Sequence, residues 1–288
     1  MIDIMAKNDE KNKKNIDFSS NVNRIEWIDI AKGIGIILVV IGHNFSDGEN
    51  IIYLRKWIYS FHMPLFFLLS GILFSAKQES FKDFFFKRVR TLLLPYIIFA
   101  AISLALFISS YLIVSKINPN IMVDQNKNFI NLIFGVFYSK NVNNFLDINI
   151  PIWFITCMFI VQLFFFFFKK IIKRDVFIIL LALITSVLSY FLFSKIYLPW
   201  SIDTALIGVL FFSIGFGIKK YDLINKITRS KLVLVFLSIL TFCVTVFISQ
   251  LNPVVIMAEN IYGNYILFLI SSAVGILFVI FISLLIKK

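Results

Sequence analysis

The sequence predicts an all-α protein, a polytopic transmembrane helical bundle of about eight spans, and three observations carry that expectation. Of the 288 residues 59% are hydrophobic and 15% charged, with a mean hydropathy of +0.89, whereas soluble domains carry about a quarter charged residues. The apolar residues are gathered into eight runs, near 25–44, 57–76, 91–114, 151–168, 175–194, 200–218, 231–249 and 264–286, most of them close to the roughly 20 residues a helix needs to cross the hydrocarbon core. The basic residues fall in the gaps. With the N-terminus inside, 21 of the 28 Lys and Arg lie in inside segments and six in outside ones, Lys32 being within the first run. The positive-inside rule favours that orientation. The chain thus reads as a multi-pass protein of the cell membrane, with a polar cytoplasmic tail over 1–24 and a membrane domain over 25–288. No small-residue cleavage site follows a short apolar core, so no removable signal peptide is read. The net charge of +12 does not point to nucleic acid, because no run offers a basic face interleaved with exposed aromatics. Cys157 and Cys243 lie inside apolar runs, which leaves no disulfide framework and no CxxC metal site.

The first run, "WIDIAKGIGIILVVIGHN", carries Asp29, Lys32 and His43, and ionisable groups at membrane depth are functional candidates by default. Lys32 and His43 are eleven residues apart, about 1,100° of helical rotation, and so lie within roughly 20° of one face with a rise of about 16 Å between them. Asp29, three residues before Lys32, can pair with it. Gly35 and Gly42 are a heptad apart beside this stripe and would let another helix approach closely. The plainer alternative has Lys32 snorkelling to the inner headgroups and His43 capping the outer end. The second run bears on that choice. His62, the only other histidine, lies near the outer start of "FHMPLFFLLSG", at a depth similar to His43 on the next, antiparallel helix. Pro64 lacks the N–H of a continuing helix, consistent with a helix end lining a cavity.

The third run is entered through "FKDFFFKRVRTLLLPY", which sets Lys87, Arg88 and Arg90 at its cytoplasmic end. Topology alone accounts for such residues; a phosphate-binding site is the sharper reading. Residues 115–151 form the longest non-apolar stretch, an outer segment with amphipathic patches suited to a surface cap or substrate lip. In the fourth run, "FFFFF" at 164–168 beside "KKIIKR" reads as lipid-facing bulk at the inner interface.

In this order, "KGIGIILVVIGH", "FHMPLFFLLSG" and "KRVRTLLLPY" resemble the integral-membrane acyltransferase 3 family, in particular its branch of sugar O-acetylases similar to fucose 4-O-acetylase. That family's first span carries a basic residue, ten intervening residues and a histidine, matched here by Lys32 and His43; lysine keeps the charge of the more common arginine without its bidentate fork. "PIWFITCMFIVQLF" and "LPWSIDTALIGVLFFSIGFGIKKY" resemble later spans, so that the likeness covers about residues 24 to 220. Members typically have about ten spans, and the expected closing pair is not found after "LLIKK".

The resemblance implies transfer of an acyl group, usually acetyl, from cytoplasmic acyl-CoA to a hydroxyl of a cell-surface or lipid-linked glycan, a modification of envelope polysaccharide, with no metal. It implies that Lys87, Arg88 and Arg90 take the CoA phosphates, with Lys32 meeting charge further in. His43 would take the acceptor's proton or carry the acyl group, and His62 would orient it or bind the acceptor. Asp47 and Glu49 in the first outer loop, Asp203 at the start of the sixth run and Trp153 at the start of the fourth are candidate acceptor contacts; Asn260, Tyr262 and Asn264 are open. Two rivals remain: a transporter or flippase for a lipid-linked saccharide, whose usual mark is broken helices in paired inverted halves, and an inactive, truncated paralogue.

Overall fold

The computed structural model describes residues 25–44, 49–75, 80–117, 129–140, 149–194, 196–227 and 230–287. The tail 1–24, Asp47 and most of the long outer segment lie outside the described residues. Those that are described form twelve α-helices and no strand beyond one isolated bridge between Ile256 and Ile261. They are α1 (Glu26–Asn44), α2 (Glu49–Tyr59), α3 (His62–Leu73), α4 (Phe81–Arg88), α5 (Leu94–Ile117), α6 (Phe129–Tyr138), α7 (Trp153–Ile171), α8 (Asp175–Leu192), α9 (Ile202–Lys220), α10 (Leu223–Lys226), α11 (Lys231–Leu251) and α12 (Tyr265–Lys287). Among the described residues seven helical stretches are long and apolar enough to cross a membrane. With α1, whose 19 residues include the charged Asp29 and Lys32, they correspond to the eight runs of the sequence.

Two of the spans differ from the sequence expectation in shape. The second starts earlier than residue 57 and is broken, α2 giving way to α3 at Ser60 and Phe61. Pro64 supplies the reason: it has no N–H to give the carbonyl of Ser60, four residues back. That carbonyl instead accepts the Ser272 hydroxyl of α12 at 2.6 Å. The third starts at Phe81, and α4 passes through a π turn at Val89–Leu93 into α5.

α9 forms the centre, packed by α3, α7 and α8, while α12 bridges α1, α3 and α11. The share of the apolar stretch that is buried separates centre from rim: 78% in the span containing α9 against 6% in the one containing α5. α3 and α9 meet backbone to backbone. A Cβ on Gly71 would lie 2.0 Å from the Phe212 carbonyl oxygen, and one on Gly215 would lie 2.1 Å from that of Leu68, the small-residue contact that lets membrane helices approach closely. Around this contact Phe67, Val161, Phe165, Ala205 and Phe212 are buried.

The phenylalanine run corrects its expected lipid-facing role. Phe165 is fully buried against Phe74, Phe212 and Phe216, and Phe166 stacks on Phe84 with ring centroids 4.5 Å apart; Phe167 is exposed. The helix period turns alternate members of one run to opposite environments. At the same end Asp175 pairs with Lys169 at 2.5 Å and with Lys220, tying α7, α8 and α9 together. At the opposite end α6 is seated by Trp200 Nε1 donating to the Phe137 carbonyl at 2.7 Å and by Tyr138 donating to that of Tyr197 at 2.5 Å.

Candidate functional site

The α2–α3 break brings three side chains together. His43 lies in the last turn of α1, Tyr59 ends α2 and His62 opens α3. The Tyr59 ring stands between the imidazoles, its centroid 5.8 Å from that of His43 and 5.1 Å from that of His62. Its hydroxyl donates to the Gly42 carbonyl at 3.2 Å. This fit depends on glycine, since a Cβ at residue 42 would lie 2.8 Å from Tyr59 Cε1; Gly35, lower on α1, faces the Phe66 and Leu65 side chains. What approaches both glycines is thus a side chain, not a helix backbone. His62 Nδ1 is 2.9 Å from the Ile58 carbonyl. A carbonyl only accepts, so Nδ1 carries the proton and a neutral His62 keeps its lone pair on Nε2.

Both histidines line a cavity of about 370 Å³, shared with Arg55, Lys56, Tyr59 and Trp153. Its far wall is the segment 253–259, ending in Glu259. That wall is held from several sides. Asn252 donates to the Tyr262 carbonyl at 3.0 Å and accepts from the Asn264 N–H at 2.8 Å. Asn260, left-handed at φ 59°, donates to the Phe193 carbonyl at 2.6 Å, and Thr204 donates to that of Met257 at 3.1 Å. Asn260 and Asn264 therefore build the wall, as does Tyr262 through its carbonyl; burial pushes the Tyr262 phenol well above its ordinary range.

Asp203 is elsewhere. It is fully buried and ion-paired with the equally buried Lys140, because the left-handed Trp200 and Ser201 precede it and turn the start of α9 inward. Its expected place among the acceptor contacts is corrected: it does not line the cavity. Burial lowers the Lys140 ammonium from the usual lysine range, against the opposing attraction of Asp203. Trp153 lines the cavity, and Asp47 lies outside the described residues.

The basic cluster sits at the other end of α3. The Arg88 guanidinium lies 5.6 Å from the Phe74 ring centroid and 5.1 Å from that of Phe84, while Lys87 and Arg90 are exposed. Lys219 donates to the Phe74 carbonyl at 3.3 Å and so joins this cluster. Phe74 and His62 are separated by one length of α3, about 18 Å at 1.5 Å per residue. Lys32 is 3.9 Å from Asp29 on a half-exposed flank of α1 and does not line the cavity. Arg55, Tyr59, Glu259 and Lys219 escaped the sequence reading; arginine and tyrosine at a span's end are ordinary there, and only the α2 register would have set Arg55 and Tyr59, four apart, on one face. Among the described residues no three His, Cys, Asp or Glu side chains gather to hold a metal ion.

The fold and the cavity define a multi-pass membrane helical protein with a histidine-lined site at one end of its bundle. The family model described as an acyltransferase domain matches residues 25–288, and the chain belongs to that family, acyltransferase 3. Over 82 residues it is 43% identical to Nodulation protein NolL of Mesorhizobium japonicum (strain LMG 29417 / CECT 9101 / MAFF 303099), a match covering 25% of this chain and 22% of that protein. The chain thus spans about a fifth of the length of that relative. No solved structure matches it.

Proposed function

We propose that the protein is an O-acyltransferase, moving an acetyl group from cytoplasmic acyl-CoA to a hydroxyl of a cell-surface or lipid-linked glycan. The observation that carries this reading is the meeting of the chain's two histidines, with Tyr59 between them, in one cavity. His43 takes the proton of the acceptor hydroxyl as its oxygen attacks the thioester carbonyl. The C–S bond breaks, the new C–O ester bond forms, and the proton passes to the departing thiolate. In the alternative course His43 attacks the thioester first: the C–S bond breaks, the thiolate leaves with the imidazole's proton, and the acceptor oxygen then attacks the acyl-imidazole, breaking its C–N bond and returning the hydroxyl proton to the ring. The lone pair of His62 orients the acceptor or His43, and Trp153 stacks on the sugar ring.

Lys87, Arg88 and Arg90, joined by Lys219, take the phosphates of CoA at the cytoplasmic end, with Lys32 meeting charge along α1. The N-terminus is then cytoplasmic and the cavity faces outward. In proteoliposomes given labelled acetyl-CoA and glycan, wild-type protein should transfer label and His43→Ala should not; transfer that persists in His43→Ala overturns the mechanism. The break between α2 and α3 beside the cavity also suits a transporter of lipid-linked saccharide. Glycan movement without acyl transfer in the same vesicles would select that reading.

A further inference from the structure

We propose that the Phe66 ring is a gate between the histidine cavity and the Arg88 end of the bundle, and that it swings aside to let the donor's thioester meet His43; the second half of this rests on the acyl-transfer reading. From His62 to Leu73 α3 is buried except at Phe66 and Ser70, which are partly buried, and Leu73, which is exposed. With His62 these residues are spaced four, four and three apart, which sets all of them on one face of the helix. That face leads from the cavity, at His62, to the level of Phe74, where the Arg88 guanidinium lies. One ring interrupts it. Phe66 reaches α1 on one side, its Cζ 2.8 Å from where a Cβ of Gly35 would stand, and α7 on the other, where the Phe154 ring centroid is 5.9 Å away. α3 and α7 give the cavity His62, Met63 and Trp153, whereas Phe66, one turn below His62, is not among its described lining residues.

Gly35 and Gly42 share a face of α1 about 10 Å apart, so the face that seats Tyr59 at the cavity seats Phe66 beneath it. Gly35 offers the ring no side chain to lock against, and a change of rotamer frees it. Ser70, one turn below, marks the stripe as more than a lipid-facing strip. In other spans Ser213, Ser238 and Ser283 each donate to the carbonyl four residues back at 2.7 Å, the usual solution for a hydroxyl in hydrocarbon. Among the described residues the Ser70 hydroxyl has no such partner, which suits a position reached by water or by the polar arm of a ligand. A donor held beside Arg88 reaches His43 along this face only past Phe66. The seated ring keeps water that enters the cavity away from the thioester until it swings, which limits wasteful hydrolysis.

The test is thiol labelling of Ser70→Cys in a Cys243→Ser background, which removes the exposed native thiol and leaves the buried Cys157. A membrane-impermeant thiol reagent is applied to right-side-out and to inverted membrane vesicles; it needs a hydrated thiolate and so passes over a thiol in lipid. With Phe66 in place the introduced thiol should react from the Arg88 face and at least about tenfold more slowly from the cavity face, as for an open state that is a minor one. Phe66→Ala should bring the two rates together. Gly35→Ala, whose added Cβ unseats the ring, should do so in part, and it decides the matter if Phe66→Ala does not fold. Equal rates from both faces with Phe66 in place, a cavity-face rate that the deciding variant leaves unchanged, or reaction from neither face overturns the proposal. Label transfer from acetyl-CoA to glycan is measured in the same vesicles. Transfer without one-sided labelling overturns this inference alone, whereas one-sided labelling that the deciding variant relieves, without any transfer, upholds the gate and overturns acyl transfer.

Discussion

Tyr59 ties the two histidines to one geometry, through a ring that touches both imidazoles and a hydroxyl on the carbonyl next to His43. Tyr59→Phe keeps the ring and loses that hydrogen bond, worth about 1 kcal/mol. Folding should survive with a small fall in Tm, while kcat for acyl transfer drops several-fold more than KM changes; equal effects on both would make Tyr59 a packing residue only. The pH dependence has a definite sign. Protonated imidazole has no lone pair, so transfer by His43 should fall as pH drops through the imidazole range, and a flat profile would argue against it as base. Lys140 and Asp203 are a different kind of pair, wholly buried and away from the cavity. Lys140→Ala leaves a buried carboxylate unpaired and should cost about 3–5 kcal/mol, seen as a lowered Tm in detergent. Lys140→Met with Asp203→Leu should recover most of that loss, since the apolar pair needs no compensation.

At the scale of the element, the glycine contact between α3 and α9 positions the site, because His62 heads α3 and the Thr204 that holds the wall at Met257 heads α9. Gly215→Val would drive a side chain into the Leu68 carbonyl and should cost about 3 kcal/mol or more, lowering Tm and abolishing the cavity. Unchanged stability would mean that the two helices can slide apart freely. The α2–α3 break is held more locally. Ser272→Ala leaves the buried Ser60 carbonyl, which Pro64 cannot satisfy, without its partner, and should cost about 1–3 kcal/mol.

On the scale of the whole molecule, α3 separates a histidine-lined cavity from a cluster of cations by about 18 Å, and the proposed donor and acceptor would then occupy separate ends of one bundle. Lys87→Ala and Arg90→Ala, both exposed, should weaken acyl-CoA binding and leave acceptor affinity unchanged. Arg88→Ala should also lower Tm, because that guanidinium packs on Phe74 and Phe84. Unchanged acyl-CoA affinity in all three would return the cluster to a purely topological role.

The sequence alone determined the all-helical class, the eight apolar runs and the two histidines, because runs of that length and rare ionisable groups within them are local properties that need no partner. The pairing of Asp29 with Lys32 is local too, within one turn of α1. Only the tertiary structure decided which groups share a space. Tyr59, at the end of α2, reaches Gly42 on α1, 17 residues back, and Glu259 comes to the cavity from a segment some two hundred residues along the chain. Asp203 turned inward to Lys140, 63 residues away, where its charge alone had suggested an acceptor contact. Phe165 and Phe167 took opposite environments within one run. A residue's composition and depth follow from its own helix, whereas the identity of its neighbour follows from how the helices pack, and in this bundle that rests on backbone contact at Gly71 and Gly215.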